Sequence, residues 1–194
     1  MKTLVVSGSP RMSGDSMTLA NEMIRHLDGE VHIVHTYYDN ISPCVDCRYC
    51  WSNVGCAIDD RMQDVYELLN EVDNVVMVSP LHFSALAGKL LSFASRLQTL
   101  YASRFIRHGT EHKLKRKRGA LVISAGGRIK YPEMATALAH SIFQSMNVHS
   151  IGNVLSLHTD EIPAGEDASA MNEARRIALQ LNELHKSQEG APVG

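Results

Sequence analysis

MKTLVVSGSPRMSGDSMT, residues 1–18, places a short apolar segment directly before a polar loop and the start of a helix. The apolar run at residues 2–6 has the length and composition of a buried strand, and a Ser-Gly-Ser-Pro turn ends it. Asp15 and Ser16 then offer side chains that can cap a helix, and apolar residues follow at helical spacing. A strand, a loop and a helix therefore open the chain, as in the first unit of a parallel α/β sheet.

The same strand-then-helix order recurs along the chain. Strand-like segments at residues 31–37, 75–78, 120–123 and 148–157 alternate with helix-like segments at residues 62–72, 85–101, 132–146 and 168–185. Nearly continuous apolar strands are typical of a parallel sheet covered on both faces, and right-handed crossovers then produce a doubly wound sheet. We therefore predict an α/β fold with a five-stranded parallel sheet and helices on both faces.

Composition limits the classes of function. The 194 residues suffice for one α/β domain, which we place at residues 1–186 with a cysteine-rich insertion at 43–58 and a disordered tail at 187–194. The net charge of −2 predicts no strong attraction to nucleic acid or to acidic membranes. The N-terminal run is typical of a strand rather than a signal peptide, and no apolar stretch approaches the roughly 18 residues of a membrane span. We therefore expect a cytoplasmic protein.

All four cysteines of the chain lie in one loop, PCVDCRYCWSNVGCAIDD at residues 43–60. They are Cys44, Cys47, Cys50 and Cys56, with the spacing C-x2-C-x2-C-x5-C. The short gaps let successive thiolates face one cluster and the longer gap lets the chain wrap round it, which predicts a four-iron cluster. Zinc sites usually pair two C-x2-C arms across a longer separation, so zinc fits less well. A reactive dithiol such as Cys44 with Cys47, and free thiols, stay open as alternatives.

The loop at residues 7–18 offers hydroxyl groups and a helix N-terminus to an anion. Its polar side chains are Ser7, Ser9, Arg11, Ser13, Ser16 and Thr18. It matches neither the Walker A pattern nor G-x-G-x-x-G. Backbone N–H groups and hydroxyls at a helix start can bind a phosphate group. An ordinary Ser/Gly-rich turn with a helix cap is the alternative.

Three loops that follow strands, SGSPR at 7–11, SPLHFSALAGKL at 79–90 and SAGGR at 124–128, together resemble the flavodoxin-like family of NAD(P)H-dependent FMN reductases. The resemblance implies that the first loop binds the FMN phosphate, that the second lies along the isoalloxazine ring, and that the third covers the other edge of the ring. The residues that it assigns to FMN are Ser7, Ser9, Pro10, Arg11, Ser16, Met17, Thr18, Pro80, Leu81, His82, Phe83, Ser84, Ser124, Ala125, Gly126 and Gly127.

Within that family, the cysteine loop resembles the loop of the iron–sulfur flavoproteins. This implies that the four cysteines bind a four-iron four-sulfur (4Fe-4S) cluster, and that the protein couples one-electron exchange at the cluster to two-electron exchange at FMN. The chemistry is then carried by the cofactors rather than by a catalytic side chain. The resemblance also implies a homodimer or homotetramer, reduced by NAD(P)H or by ferredoxin, that acts on a small-molecule electron acceptor.

Other functions stay open at this point. The first alternative is an NAD(P)H-dependent FMN or quinone reductase without a cluster, and the second is a non-enzymatic electron carrier between protein partners. A zinc-stabilised flavin-binding module with a sensing role is a third. The basic run RFIRHGTEHKLKRKR at residues 104–118 could bind ferredoxin or the 2′-phosphate of NADPH, or it is a solvated loop. No aromatic stacking platform accompanies these charges, so nucleic acid ranks last. Asp59 or Asp60 is expected to cap the next helix rather than to act in catalysis.

Overall fold

The structure is a computed structural model that describes residues 1–109, 114–127 and 131–189. Six strands form its sheet: β1 (Lys2–Ser7), β2 (Glu30–His35), β3 (Asn74–His82), β4 (Ala85–Leu86), β5 (Lys117–Ala125) and β6 (Val148–Leu157). Five of them are parallel, in the order β2-β1-β3-β5-β6. The predicted five-stranded parallel sheet is confirmed. The short β4 is an addition, which pairs antiparallel with the end of β3.

Helices cover both faces of the sheet. They are α1 (Asp15–His26), α2 (Tyr49–Ser52), α3 (Met62–Glu71), α4 (Gly88–Ser95), α5 (Gln98–Tyr101), a π-helical turn (Ala102–Ile106), α6 (Pro132–Ser145) and α7 (Ala168–Glu189). Side chains alternate between the faces along each strand, so Val5 of β1 packs with α1 and α7, whereas Leu4 and Val6 pack with α3, α4 and α6. Within the described residues, no helix is long and apolar enough to cross a membrane.

The predicted helix at residues 85–101 is wrong in its first part and interrupted in its second. Phe83 and Ser84 both have positive φ angles, of 52° and 60°, and form the two-residue turn of the β3–β4 hairpin. The hairpin takes Ala85 and Leu86 into a strand, so the helix begins only at Gly88. The chain then leaves α-helical geometry at Arg96 and Leu97, whose N–H groups bond to the carbonyls three residues earlier.

The C-terminal end also differs from the prediction. Helix α7 continues to Glu189, so residues 187–189 are helical rather than part of a disordered tail. The Ser187 hydroxyl donates to the carbonyl of Glu183 at 2.9 Å, one turn earlier, as it can only in a continuing helix. The rest of the predicted tail, residues 190–194, lies outside the described part of the chain.

Candidate functional site

The three loops that resemble FMN-binding loops follow β1, β3 and β5, at the carboxyl edge of the sheet. Ser7 pairs in register with Val78, and Pro80 pairs with Ser124, so the ends of these strands are neighbours. The chain runs outward from β1 to β2 and then returns to place β3 on the other side of β1. Ligands of open α/β sheets bind outside the carboxyl ends of the strands at such a reversal of strand order.

The first loop is buried at its base and bonded to the sheet. The N–H of Gly8 donates to the carbonyl of Val78 at 2.7 Å, and a Cβ atom on Gly8 would lie 2.7 Å from the Cβ of Leu90. Only glycine therefore allows this close approach of the loop to α4. The buried Ser7 hydroxyl accepts the N–H of Ser9 at 3.3 Å, so serine side chains brace the turn from inside.

The N-terminus of α1 ends the first loop without a side-chain cap. Gly14 occupies the cap position and no side chain bonds to the first N–H groups of the helix. The Arg11 side chain folds over Gly14, with its guanidinium 3.6 Å from the carboxylate of Asp15. The Ser16 hydroxyl shares a 2.6 Å hydrogen bond with the Ser124 hydroxyl, which links the first loop to the third. An uncapped helix start beside a cation and hydroxyls is suited to binding an anion.

The second loop presents an exposed aromatic side chain on a strained turn. Phe83 is 104% exposed, and His82 beside it is exposed as well. Positive φ angles at non-glycine residues such as Phe83 and Ser84 are uncommon and cluster at ligand sites. The base of the loop is fixed, because the Ser79 hydroxyl accepts the N–H of Ala87 at 2.9 Å. The loop can therefore offer a firmly held apolar surface at the sheet edge.

The third loop passes beneath a residue that the sequence reasoning missed. A Cβ atom on Gly126 would lie 2.4 Å from Oδ1 of Asp160, which belongs to the loop after β6. The N–H of Thr159 donates to the carbonyl of Ala125 at 2.8 Å, which holds the two loops together. The glycine at position 126 was the only signal in the sequence for this close packing. Arg128 lies outside the described residues.

Tyr38 is a second residue that the sequence did not single out. It follows β2, its ring is exposed, and its hydroxyl donates to the carbonyl of Pro10 in the first loop. The sequence segment at 31–37 predicts a strand, whereas the strand ends at His35 and residues 36–38 form a turn. That turn brings Tyr38 beside the loop at residues 7–18. A tyrosine directly after the second strand was the signal that could have been used.

The four cysteines line a single cavity. Its volume is about 90 Å³, and Cys44, Cys47, Cys50 and Cys56 all lie in its wall. All four thiols are free; Cys44 and Cys47 are exposed and the other two are half-buried. Burial raises the pKa of the Cys50 thiol, and the negative charges of Cys56, Cys44 and Cys47 raise it further, so all three other thiols act on Cys50. The sequence prediction that one loop gathers four thiols at one place is consistent with this cavity.

The described residues contain no group of three or more His, Cys, Asp or Glu side chains arranged to hold one metal ion. The ligands of a single zinc ion converge to a distance of about 2.3 Å from one centre. In a four-iron cluster each thiolate binds a different iron, so the four sulfurs stand around a larger body. The cavity therefore brings the thiols together without forming a site for one ion.

A buried ion pair closes the base of the cysteine loop. The side chains of Arg96 and Asp60 are 1% and 2% exposed, with Nη1 2.7 Å from Oδ2. Burial alone would raise the pKa of Asp60, but the hydrogen bonds from Arg96 and from the N–H groups of Ser42 and Met62 lower it. The bond from Met62 to Oδ1, at 3.0 Å, confirms that Asp60 caps the start of α3. Sequence reasoning missed Arg96, because nothing in the sequence pairs it with a residue 36 positions earlier.

The described basic side chains of the run at residues 104–118 have different surroundings. Lys115 pairs with Asp73 at 2.7 Å, and Arg107 donates to the carbonyl of Cys50. Lys117 is buried in β5, and burial lowers its pKa to about 8. Residues 110–113 lie outside the described part of the chain. Lys115, Arg107 and Lys117 are thus engaged within the protein, whereas Arg104 and Arg116 line one cavity, and binding of ferredoxin or of the 2′-phosphate of NADPH by this run stays a prediction.

The sequence profile of the NADPH-dependent FMN reductase family matches residues 1–161, which include the three loops and the cysteine loop. The chain belongs to this family. It is therefore a flavin-dependent oxidoreductase, as the resemblance of its loops implied, with FMN and NAD(P)H as the cofactors that the family uses. In flavodoxin-like sheets FMN binds at a reversal of strand order, and the serine and glycine loops of this chain lie at such a reversal.

The relatives of this chain include proteins that are named iron–sulfur flavoproteins. One, from Archaeoglobus fulgidus, is 22% identical over 191 residues, which cover 97% of this chain and 82% of the relative. Another, from Methanosarcina thermophila, is 26% identical over 190 residues, which cover 93% of each chain. The solved NAD(P)H:quinone oxidoreductase from Methanothermobacter marburgensis superposes with a TM-score of 0.71 at 16% identity, over 93% of this chain and 96% of that chain. At that identity the superposition shows the shared fold.

Proposed function

We propose that this FMN-dependent oxidoreductase binds a 4Fe-4S cluster through Cys44, Cys47, Cys50 and Cys56. The observation that carries the proposal is the single cavity that all four free thiols line, in a chain whose fold belongs to a flavin-binding family. The names of the relatives from A. fulgidus and M. thermophila support it. When bound, FMN supplies two-electron exchange and the cluster supplies one-electron exchange, which makes the pair useful between unlike redox partners.

The first loop would hold the phosphate of FMN. Ser9, Ser16 and Thr18 bring hydroxyls to the uncapped N-terminus of α1, and Arg11 adds a positive charge next to it. Here the hydroxyls bond within the protein, Thr18 to the carbonyl of Gly14 at 3.2 Å and Ser9 to the carbonyl of Arg11 at 2.9 Å. These bonds fold the loop on itself beside the start of α1, whose cap residue Gly14 makes no side-chain cap bond. A phosphate group fits such a cradle in charge and in hydrogen bonding.

The second and third loops would hold the isoalloxazine ring. In the second loop, Pro80, Leu81, His82, Phe83 and Ser84 form the tip of the β3–β4 hairpin. In the third, Ser124 and Ala125 end β5, and Gly126 with Gly127 leaves backbone close to the sheet edge. The hairpin on one side and the open backbone of Gly127 on the other would orient the ring and exclude water. NAD(P)H and the electron acceptor would reach the ring between these two loops.

The cysteine loop also offers an apolar surface to a partner. Val45, Tyr49, Trp51 and Val54 are exposed on it, and Arg48 stacks over the Trp51 ring at 4.8 Å. Exposed apolar groups this close together are typical of interaction sites. We expect a homodimer or homotetramer, with a second copy or a ferredoxin donor meeting this surface. NAD(P)H is the alternative electron donor.

Anaerobic purification followed by cofactor analysis tests this function. We expect about one FMN, about four iron and about four sulfide per chain, together with flavin bands and a broad absorbance shoulder. FMN without iron would make the protein an NAD(P)H-dependent FMN or quinone reductase whose cysteine loop has another role. Zinc in place of iron would favour a flavin-binding module with a structural metal. Slow NAD(P)H oxidation with fast reduction by ferredoxin would favour an electron carrier.

A further inference from the structure

One buried arginine holds both ends of the cysteine loop. The two terminal nitrogens of Arg96 donate to the two carboxylate oxygens of Asp60, at 2.7 and 3.1 Å. The same nitrogens donate to the carbonyl of Ser42 at 2.9 Å and to the carbonyl of Ile58 at 3.2 Å. Ser42 lies two residues before the first cysteine, and Ile58 lies two residues after the last. The planar guanidinium group therefore fixes the entry and the exit of the loop at one point.

Residues close to Arg96 in the sequence make further hydrogen bonds to the loop. The Ser95 hydroxyl accepts the N–H of Cys44 at 2.9 Å, and the Thr99 hydroxyl donates to the carbonyl of Gly55 at 2.9 Å. Asp60 also accepts the N–H of Ser42 at 2.9 Å. Arg96 itself lines the cavity that the thiols share. One short segment, from the last residue of α4 into α5, thus contacts the loop near its first and its last cysteine.

Burial of Arg96 has a free-energy cost. Its Nε atom is buried and has no hydrogen-bond partner among the described residues, which is destabilising for a buried donor. A buried ion pair is also weak evidence of a gain in stability, because both charges lose their hydration. By contrast, the cysteine loop contributes only the four-residue helix α2, which has no buried residue. The loop therefore needs an outside anchor to keep a fixed shape.

We propose that Arg96 is a positioning residue that keeps the four cysteines around one cavity before any metal arrives. Ser42, Ile58 and Asp60 form the neck of the loop, where Arg96 holds it. Holding the neck lowers the conformational entropy of the metal-free loop, so metal binding has less entropy to remove. The role rests on the proposed function for the identity of the bound cluster. The order of the loop in the metal-free protein does not depend on that identity, so the two can fail separately.

The test is amide hydrogen exchange in the metal-free, FMN-loaded protein, with Arg96→Lys compared to the unchanged chain. Lysine keeps the positive charge but lacks the planar fork that makes four bonds. We expect exchange across residues 43–58 to accelerate about tenfold or more, while exchange in β1 and α1 and the affinity for FMN change less than about twofold. Iron uptake during reconstitution is then expected to fall in the same variant.

Two further variants keep the test decisive if Arg96→Lys does not fold. Asp60→Asn removes the charge of the partner, and Thr99→Val removes only the bond to Gly55 without changing side-chain size much. We expect loop-wide acceleration in the first and a smaller acceleration near Gly55 in the second. Ile177→Val is the control, because Ile177 packs on the opposite face of the sheet and its loss of a methyl group lowers stability without touching the loop.

The outcomes separate the positioning role from a general structural one. Acceleration confined to residues 43–58 in the neck variants supports the role, even if the unchanged protein takes up no iron and the proposed cluster fails. Unchanged exchange in the loop of a folded Arg96→Lys protein overturns it. Acceleration spread over the whole molecule, in the pattern of Ile177→Val, overturns it as well.

Discussion

The loop after β1 and the loop after β2 leave adjacent strands at the same edge of the sheet, yet they are built differently. The first, at residues 7–18, is buried at its base, bonded to β3 and braced by its own serines. The second, at residues 43–58, is mostly exposed and is held at its neck by Arg96. The shape of one loop therefore depends on its own sequence and the adjacent sheet, whereas the shape of the other depends on one distant side chain.

The difference matches the two kinds of ligand that we assign. A flavin phosphate needs backbone N–H groups and hydroxyls, which a tight loop next to a helix start provides. A cluster needs four side chains that reach inward from an open chain segment, which a tight loop cannot provide.

The largest effect is expected from Cys50→Ala. Cys50 is half-buried and lines the cavity together with the three other thiols, so its substitution would remove one of the four proposed ligands. We expect iron and sulfide to fall to near zero while FMN stays bound. Iron analysis and flavin fluorescence measure both, and Ser52→Ala in α2 serves as the control from the same loop. Loss of FMN together with iron would show that the two loops are not independent.

A glycine pair compares the two loops directly. In Gly8→Ala the new Cβ would lie 2.7 Å from Leu90, so we expect overpacking to lower the free energy of unfolding by about 2 kcal/mol and to weaken FMN binding. In Gly55→Ala nothing lies within 4 Å of the new Cβ, and only the φ of 81° is unfavourable, which costs about 1 kcal/mol.

Denaturant unfolding measures the change in the free energy of unfolding of both glycine variants. Gly88→Ala is the control, because a Cβ there meets nothing within 4 Å and the position starts α4, where alanine is favoured by roughly 0.5 kcal/mol. Equal losses in the free energy of unfolding in Gly8→Ala and Gly55→Ala would mean that the two loops are equally constrained by their surroundings, which would contradict the difference between them.

The parts of the molecule that the sequence predicts are those whose structure depends on local contacts rather than on distant ones. The strands depend mainly on the residues within them, and local patterns indicated the sheet and its order of elements correctly. The loop at residues 7–18 is instead held by the distant Val78, Leu90 and Ser124, and Gly14 rather than Asp15 or Ser16 is the cap residue of α1. The β3–β4 hairpin was missed because Phe83 and Ser84, unlike Asn-Gly, are not typical of a turn with positive φ angles. Arg96 and Asp160 were missed because each acts on a residue more than thirty positions away. No periodicity in the sequence reports such contacts.

Removal of hydroxyls from the first loop is expected to have a moderate effect. Ser9→Ala combined with Thr18→Ala should weaken FMN binding by about 1 kcal/mol for each hydroxyl. Fluorescence titration of the apoprotein with FMN measures the affinity. Thr136→Ala is a matched control, since Thr136 in α6 makes the same bond to the carbonyl four residues earlier as Thr18 does. Unchanged FMN affinity in the double variant would contradict the assignment of the phosphate site.

The smallest effect is expected on acidification. The pKa of Asp60 is lowered in the folded protein from its ordinary value of 3.8, so its ion pair contributes fully above that value and is lost as pH falls through the lowered one. We therefore expect the protection of amides in residues 43–58, which is their exchange rate relative to that of an unstructured chain at the same pH, to fall below about pH 4. Asp60→Asn should exchange fast at neutral pH and show no further step. A step of equal size in Asp60→Asn would assign the acid response to another group.

The electron capacity of the purified protein tests the central claim most directly. Anaerobic reductive titration, followed by the flavin and cluster absorbance, counts the electrons that each chain accepts. A chain that carries both FMN and a four-iron cluster accepts about three electrons, two at the flavin and one at the cluster. Cys50→Ala should accept about two in the same titration. A count of about two for the unchanged, FMN-loaded chain, with no bleaching outside the flavin bands, would contradict the proposal that the cysteine loop holds a redox-active cluster.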